Sequence, residues 1–169
     1  MKYNRFEELP VWKDAIELAV RMFDLTCRPE FQGYYGLKDQ IERAGVSISN
    51  NIAEGFERGS TQETLTFLYI AKGSSGEVRS LTYLLERLTR FSTLRSEILD
   101  LRSRALSISK QLRAWSDSLQ NTNIRGQRYL TEKSRQLERT KKDREEFLKE
   151  LEQVRIRNIE ETRRRSGSS

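Results

Sequence analysis

The stretch from Ile98 to Leu119 constrains the fold more than any other part of the chain. Its apolar positions, Ile98, Leu101, Ala105, Ile108, Leu112, Trp115 and Leu119, alternate steps of three and four without a break. An α-helix turns once in 3.6 residues, so this ladder falls on one stripe, an a/d seam over three heptads. A stripe that narrow does not hold a helix alone in water. It must close on other apolar stripes, and a strict 3-4 repeat favours antiparallel packing at about 20°.

Three further segments supply the partners. The first runs from about Leu9 to Cys27, with Pro10 in the first turn, where its missing N–H is no loss. Trp12, Ile16, Ala19 and Phe23 are its expected core face, and Arg28-Pro29 is its stop. The second runs from about Leu37 to Gly55, with Leu37, Ile41, Ala44, Ile48 and Ile52 as its stripe. Gly55 stands where a helix C-terminus commonly takes a glycine. The third opens at Ser60-Thr61-Gln62-Glu63, a capping-box pattern. It continues through Leu65, Leu68, Val78, Leu81, Leu85 and Leu88 to about Arg90. Four amphipathic helices with short connections predict an all-α, up-and-down antiparallel four-helix bundle over residues 1–125.

Residues 126–169 differ in kind. They carry 13 Lys+Arg against 9 Asp+Glu, and sparse apolar residues among helix formers. The expectation is a charged helical extension from Gly126 to about Glu161, then a disordered end from Arg163 to Ser169. It reads either as a solvated helix or as an arm for a partner.

Composition excludes much chemistry. The 169 residues include no histidine and one cysteine, Cys27, which removes His-based triads, most catalytic zinc sites and an internal disulfide. No apolar run approaches the roughly 20 residues of a membrane span. The opening Met1-Lys2-Tyr3-Asn4-Arg5-Phe6 leads straight into charged sequence, so the expectation is a cytoplasmic protein without a membrane partner. The formal charge is +6 and the sequence pI about 9.6, a mild excess that favours polyanions.

No catalytic, metal or cofactor constellation is legible, and the chain reads as a non-enzyme. Lys72-Gly73-Ser74-Ser75-Gly76 sits mid-helix and lacks phosphate-loop spacing. Ser74, Ser75 and Ser80 have no base, Glu7-Glu8 has no apolar pocket, and Cys27 beside Arg28 reads as a packing residue or an incidental one. A polar stripe on the second helix does stand out: Gln40, Arg43, Ser47, Asn50 or Asn51, and Glu54. Small and amide side chains of this kind face other protein more often than water. Gly73 and Gly76 each cost about 1 kcal/mol relative to Ala inside a helix, which suggests close backbone packing there. Packing inside the bundle and packing against a second subunit both remain open.

These residues also carry a family resemblance. Phe6-Glu7-Glu8-Leu9-Pro10-Val11-Trp12-Lys13-Asp14-Ala15, Tyr35-Gly36-Leu37-Lys38-Asp39-Gln40-Ile41, the run Ala44 to Gly55, and Thr66 to Ser74 with Glu77 appear in order. Together they resemble the bacterial four-helix-bundle proteins encoded in 23S ribosomal RNA intervening sequences, over roughly residues 6–120. Gly45 and Gly76 stand where that family more often has larger residues, an expected loosening of two helices. The resemblance implies a homopentameric ring with a basic surface. It also implies kinship with the accessory variability determinant of diversity-generating retroelements, which binds its reverse transcriptase and RNA.

The functional expectation is therefore a homo-oligomer, taken as a pentamer, that binds RNA or single-stranded DNA, with a reverse transcriptase as a candidate partner. Arg43, Arg58, Lys72, Arg79 and Arg87 are the candidate phosphate contacts. Gln40, Ser47, Asn50, Asn51, Glu54, Gly73, Ser74 and Glu77 are the candidate subunit-interface or family-signature residues. The alternative is a structural or protein-interaction scaffold whose C-terminal helix docks a partner protein.

Overall fold

Ser60 shows how local sequence sets the helix ends. Its Oγ accepts from the Glu63 backbone N–H at 3.3 Å and donates to the Glu63 carboxylate at 2.7 Å, so Ser60 caps the helix and Glu63 turns back onto the cap, side chain to side chain. The computed structural model describes residues 3–121, 140 and 143–153. The chain divides into two units, 1–128 and 129–169, each taken by itself.

Four long helices build the first unit: α1 (Pro10–Thr26), α2 (Tyr35–Glu57), α3 (Thr61–Arg87) and α4 (Arg95–Gln120). Short 3-10 turns at Phe6–Glu8, Pro29–Phe31 and Thr89–Leu94 fill the entry and two connections. Each helix packs on the next, and α4 closes on α1. Side-chain pairs fix the antiparallel sense, because numbers rise on one helix as they fall on its neighbour. Asp14 meets Gln111 and Arg21 meets Asp100 between α1 and α4. Gln40 meets Glu77 and Ser47 meets Ser74 between α2 and α3. Tyr69 meets Gln120 and Thr82 meets Arg102 between α3 and α4. The chain is an all-α bundle, with Leu18, Ile48, Ile52, Leu68, Ile98 and Leu112 fully enclosed.

The α4 seam is buried at Ile98, Leu101, Ala105, Ile108 and Leu112, with Trp115 and Leu119 half-covered against the core. On α1 the structure corrects the expected face. Val11, Ala15, Leu18, Met22 and Leu25 point inward; of the expected face Ala19 is buried and Trp12 packs half-covered on the core, whereas Ile16 and Phe23 are 37% and 42% exposed. The helix is apolar on two adjoining faces, so two 3-4 ladders can be read from it. Packing chooses between them.

The glycines also differ from expectation. Gly55 does not end α2; the helix continues to Glu57, and the Arg58 N–H caps it on Glu54 O. A Cβ at Gly55 would sit 2.8 Å from Phe67 Cβ, so this glycine lets α2 and α3 approach. Gly45 does not loosen its helix, since Met22 fills the space, with Sδ 2.8 Å from where a Cβ would be. Nothing outside their own helix turn lies within 4 Å of where a Cβ would stand at Gly73 or Gly76, so neither marks close packing within the described chain.

Helix α3 stops at Arg87 rather than near Arg90, and Arg90 becomes a clasp. Its guanidinium donates to the carbonyls of Pro29, Glu30 and Gln32 and lies over the Tyr34 ring, tying the α1–α2 connection to the α3–α4 connection. Phe31 and Phe91 pack beneath it with ring centroids 4.7 Å apart. In the second unit, residues 143–153 are helical. The rest of the expected extension, including Arg163 to Ser169, lies outside the described residues.

Candidate nucleic-acid interface

Ion pairing sorts the cations of the bundle. Among the described residues of that unit, Lys13, Lys72, Arg79, Arg87, Arg90 and Lys110 have no carboxylate within 4 Å. Arg90 is spent on backbone carbonyls, and Lys13 stands on α1. The other four lie on α3, its C-terminal end, and α4.

Helical spacing places them together. Lys72 and Arg79 are seven apart and in line with Glu86, which receives Arg102 of α4 at 2.6 Å. Arg95, Arg102 and Arg113 share one ridge of α4 at steps of seven and eleven, with Lys110 beside Arg113. Seven cations (Lys72, Arg79, Arg87, Arg95, Arg102, Lys110 and Arg113) thus gather along the α3–α4 seam. The carboxylates paired there are Glu86, with Arg95 and Arg102, and Asp117, with Arg113. Arg102 holds the Glu86 carboxyl below its ordinary value of 4.5, chiefly by hydrogen bonding, so the pair stays charged in mild acid.

Arg43 and Arg58 are placed elsewhere. Both lie on α2 or at its end; Arg43 pairs with Asp39 at 3.2 Å, and Arg58 pairs with Glu54 and stacks over Phe67. The candidate phosphate contacts therefore fall into two groups, three uncompensated cations on the seam and two neutralised ones on the other side of α3.

The polar stripe of α2 splits as well. Ser47 and Ser74 share a hydrogen bond of 2.9 Å, Asn51 donates to the Ser47 carbonyl at 2.7 Å, and Gln40 donates to Glu77 at 3.3 Å. Gln40, Ser47, Ser74 and Glu77 thus join α2 to α3 within one chain, and Asn51 braces Ser47 from its own helix. Asn50, Glu54 and Gly73 face outward.

Sequence reading missed Arg95, Arg102, Lys110 and the tyrosines Tyr69 and Tyr83, each 47% exposed. Tyr83 lies under the Arg102 guanidinium, whose carbon is 3.7 Å from the ring centroid, and the Tyr69 hydroxyl accepts from Gln120 at 2.7 Å. The available signal was the heptad step Tyr69, Gly76, Tyr83 beside Lys72 and Arg79. Among the described residues no helix is long and apolar enough to cross a membrane.

Fold and surface together define a helical-bundle protein with a basic interhelical seam. The chain belongs to the 23S rRNA-intervening sequence protein family, whose model matches residues 7–114. It is also similar to a crystal structure of a protein of unknown function from the S23 ribosomal protein family of Bacteroides thetaiotaomicron. The two are 25% identical with a TM-score of 0.55, over 63% of this chain and 97% of that one. A comparison with curated proteins gave no match.

Proposed function

We propose that this protein is a non-catalytic homo-oligomer that binds RNA or single-stranded DNA along the α3–α4 seam. The observation that carries this reading is the concentration of uncompensated charge: Lys72, Arg79, Arg87 and Lys110 lack carboxylate partners, while most other cations of the bundle are paired. Phosphates neutralising such side chains release counterions, which drives binding with little sequence preference. Oligomerisation amplifies the effect. Five copies of a +6 chain carry a formal +30, and the exposed Ile16, Val20 and Phe23 of α1 give each copy an apolar face to bury. The pentamer and a reverse transcriptase as protein partner are what the family resemblance implies.

The test is charge reversal read by binding of a labelled single strand at low salt. Lys72→Glu with Arg79→Glu should weaken binding at least tenfold, while Arg43→Glu, on the α2 side, leaves it within twofold. Equal effects at both places, or none at either, overturn the reading. The scaffold alternative is favoured by a separate observation: Phe147, Leu148 and Leu151 are 59%, 53% and 48% exposed on the helical stretch 143–153. On that reading, deleting residues 126–169 abolishes partner capture and leaves the bundle folded.

A further inference from the structure

The two tyrosines of the seam have no core to fill. Tyr69 and Tyr83 lie two heptads apart on α3, and both contact α4. At 1.5 Å rise per residue they are about 21 Å apart along the helix axis. Gly76 stands midway, with nothing within 4 Å of where its Cβ would be. Lys72 and Arg79 line the same stretch, one turn from Tyr69 and Tyr83 respectively. The result is a shallow track with an aromatic ring at each end, uncompensated cations along it and open space in the middle.

We propose that Tyr69 and Tyr83 are base-stacking platforms, so that the seam takes single strands in preference to duplex. This rests on the nucleic-acid reading above and names the form of its ligand. An aromatic ring offers a base a flat, sequence-tolerant partner, but only where the base is not already stacked and paired in a duplex. Arg102 holds the Tyr83 ring by a cation–π contact and is itself anchored on Thr82 and Glu86, at 3.0 Å to the Thr82 carbonyl. Arg102 thus covers one face of the ring and orders it before a base arrives, so that a base stacks on the opposite face at a lower entropic cost. At about 3.4 Å per nucleotide of a stacked strand, the two rings bracket about six nucleotides.

The experiment compares a fluorescein-labelled 12-nucleotide uridine or thymidine strand with a duplex of equal length, by anisotropy on the full chain at fixed low salt. The wild type should bind the strand more tightly than the duplex. Tyr69→Leu and Tyr83→Leu should each weaken strand binding about five- to a hundredfold and leave duplex binding unchanged, whereas Tyr69→Phe and Tyr83→Phe stay within twofold. Photocrosslinking of a bromouridine strand to wild-type protein gives a readout independent of variant folding, with adducts expected at both tyrosines. Leu variants that bind the strand like wild type, or adducts confined elsewhere, overturn the platforms. If Lys72→Glu with Arg79→Glu still weakens binding in that case, the electrostatic reading stands without them. A wild type that binds neither probe overturns both.

Discussion

A methyl group at Gly55 would press on Phe67 Cβ at 2.8 Å and on the Thr64 carbonyl at 3.3 Å, and neither atom can swing aside. Gly55→Ala should therefore destabilise the bundle by about 1–3 kcal/mol despite the better helix propensity of Ala. Gly76→Ala meets open space and should stabilise it by up to about 1 kcal/mol. Urea denaturation of the two variants checks both signs. Glu86 sets a second residue-level expectation. Its carboxyl is held below the ordinary value, first by the Arg102 hydrogen bond, so its contribution is fully present above that ordinary value. It is lost as the pH falls through the lowered one. Stability measured against pH should decline on that acid side, and Glu86→Gln should flatten the decline.

Helix α1 and helix α4 carry similar apolar ladders with opposite legibility. On α4 the apolar residues keep mostly to one stripe, so the seam from Ile98 to Leu119 reads directly as core. On α1 apolar residues cover two adjoining faces, and the ladder Trp12, Ile16, Ala19, Phe23, of which Trp12 and Ala19 do reach the core, is as regular as the fully buried one. Only the position of α2 and α4 decides between them, and that information is not local. Leu18→Ala should cost about 2–5 kcal/mol, whereas Phe23→Ala should cost the isolated bundle no more than about 1 kcal/mol, both read by thermal or chemical melts. The α2 stripe shows the same limit. Its Ser and Asn content marks a protein-facing surface, and six of the candidate residues, Gln40, Ser47, Asn51, Glu54, Ser74 and Glu77, do hydrogen-bond within the chain. Charge compensation on α2 was legible too: Asp39–Arg43 and Glu54–Arg58 stand at the i,i+4 spacing of helical ion pairs, whereas Lys72 and Arg79 have no carboxylate three or four residues away.

For the whole molecule, the outer face of α1 and the uncompensated cations of α3 and α4 set the expectations. In dilute buffer the particle should weigh about 100 kDa, five copies of a 19.9 kDa chain, and Phe23→Glu should shift it toward the single-chain mass in sedimentation. Binding depends on the other surface. Four uncompensated cations facing a single strand predict that the logarithm of the association constant falls with the logarithm of salt at a slope of about −3, or about −0.7 per phosphate neutralised. A salt titration of single-strand binding, run on the wild type and on the Lys72→Glu, Arg79→Glu double variant, tests this most directly. A slope near −3 for the wild type, made shallower by more than one in the variant, is the predicted result. A flat response, or the same slope for both proteins, would contradict the assignment of the α3–α4 seam as the polyanion-binding surface.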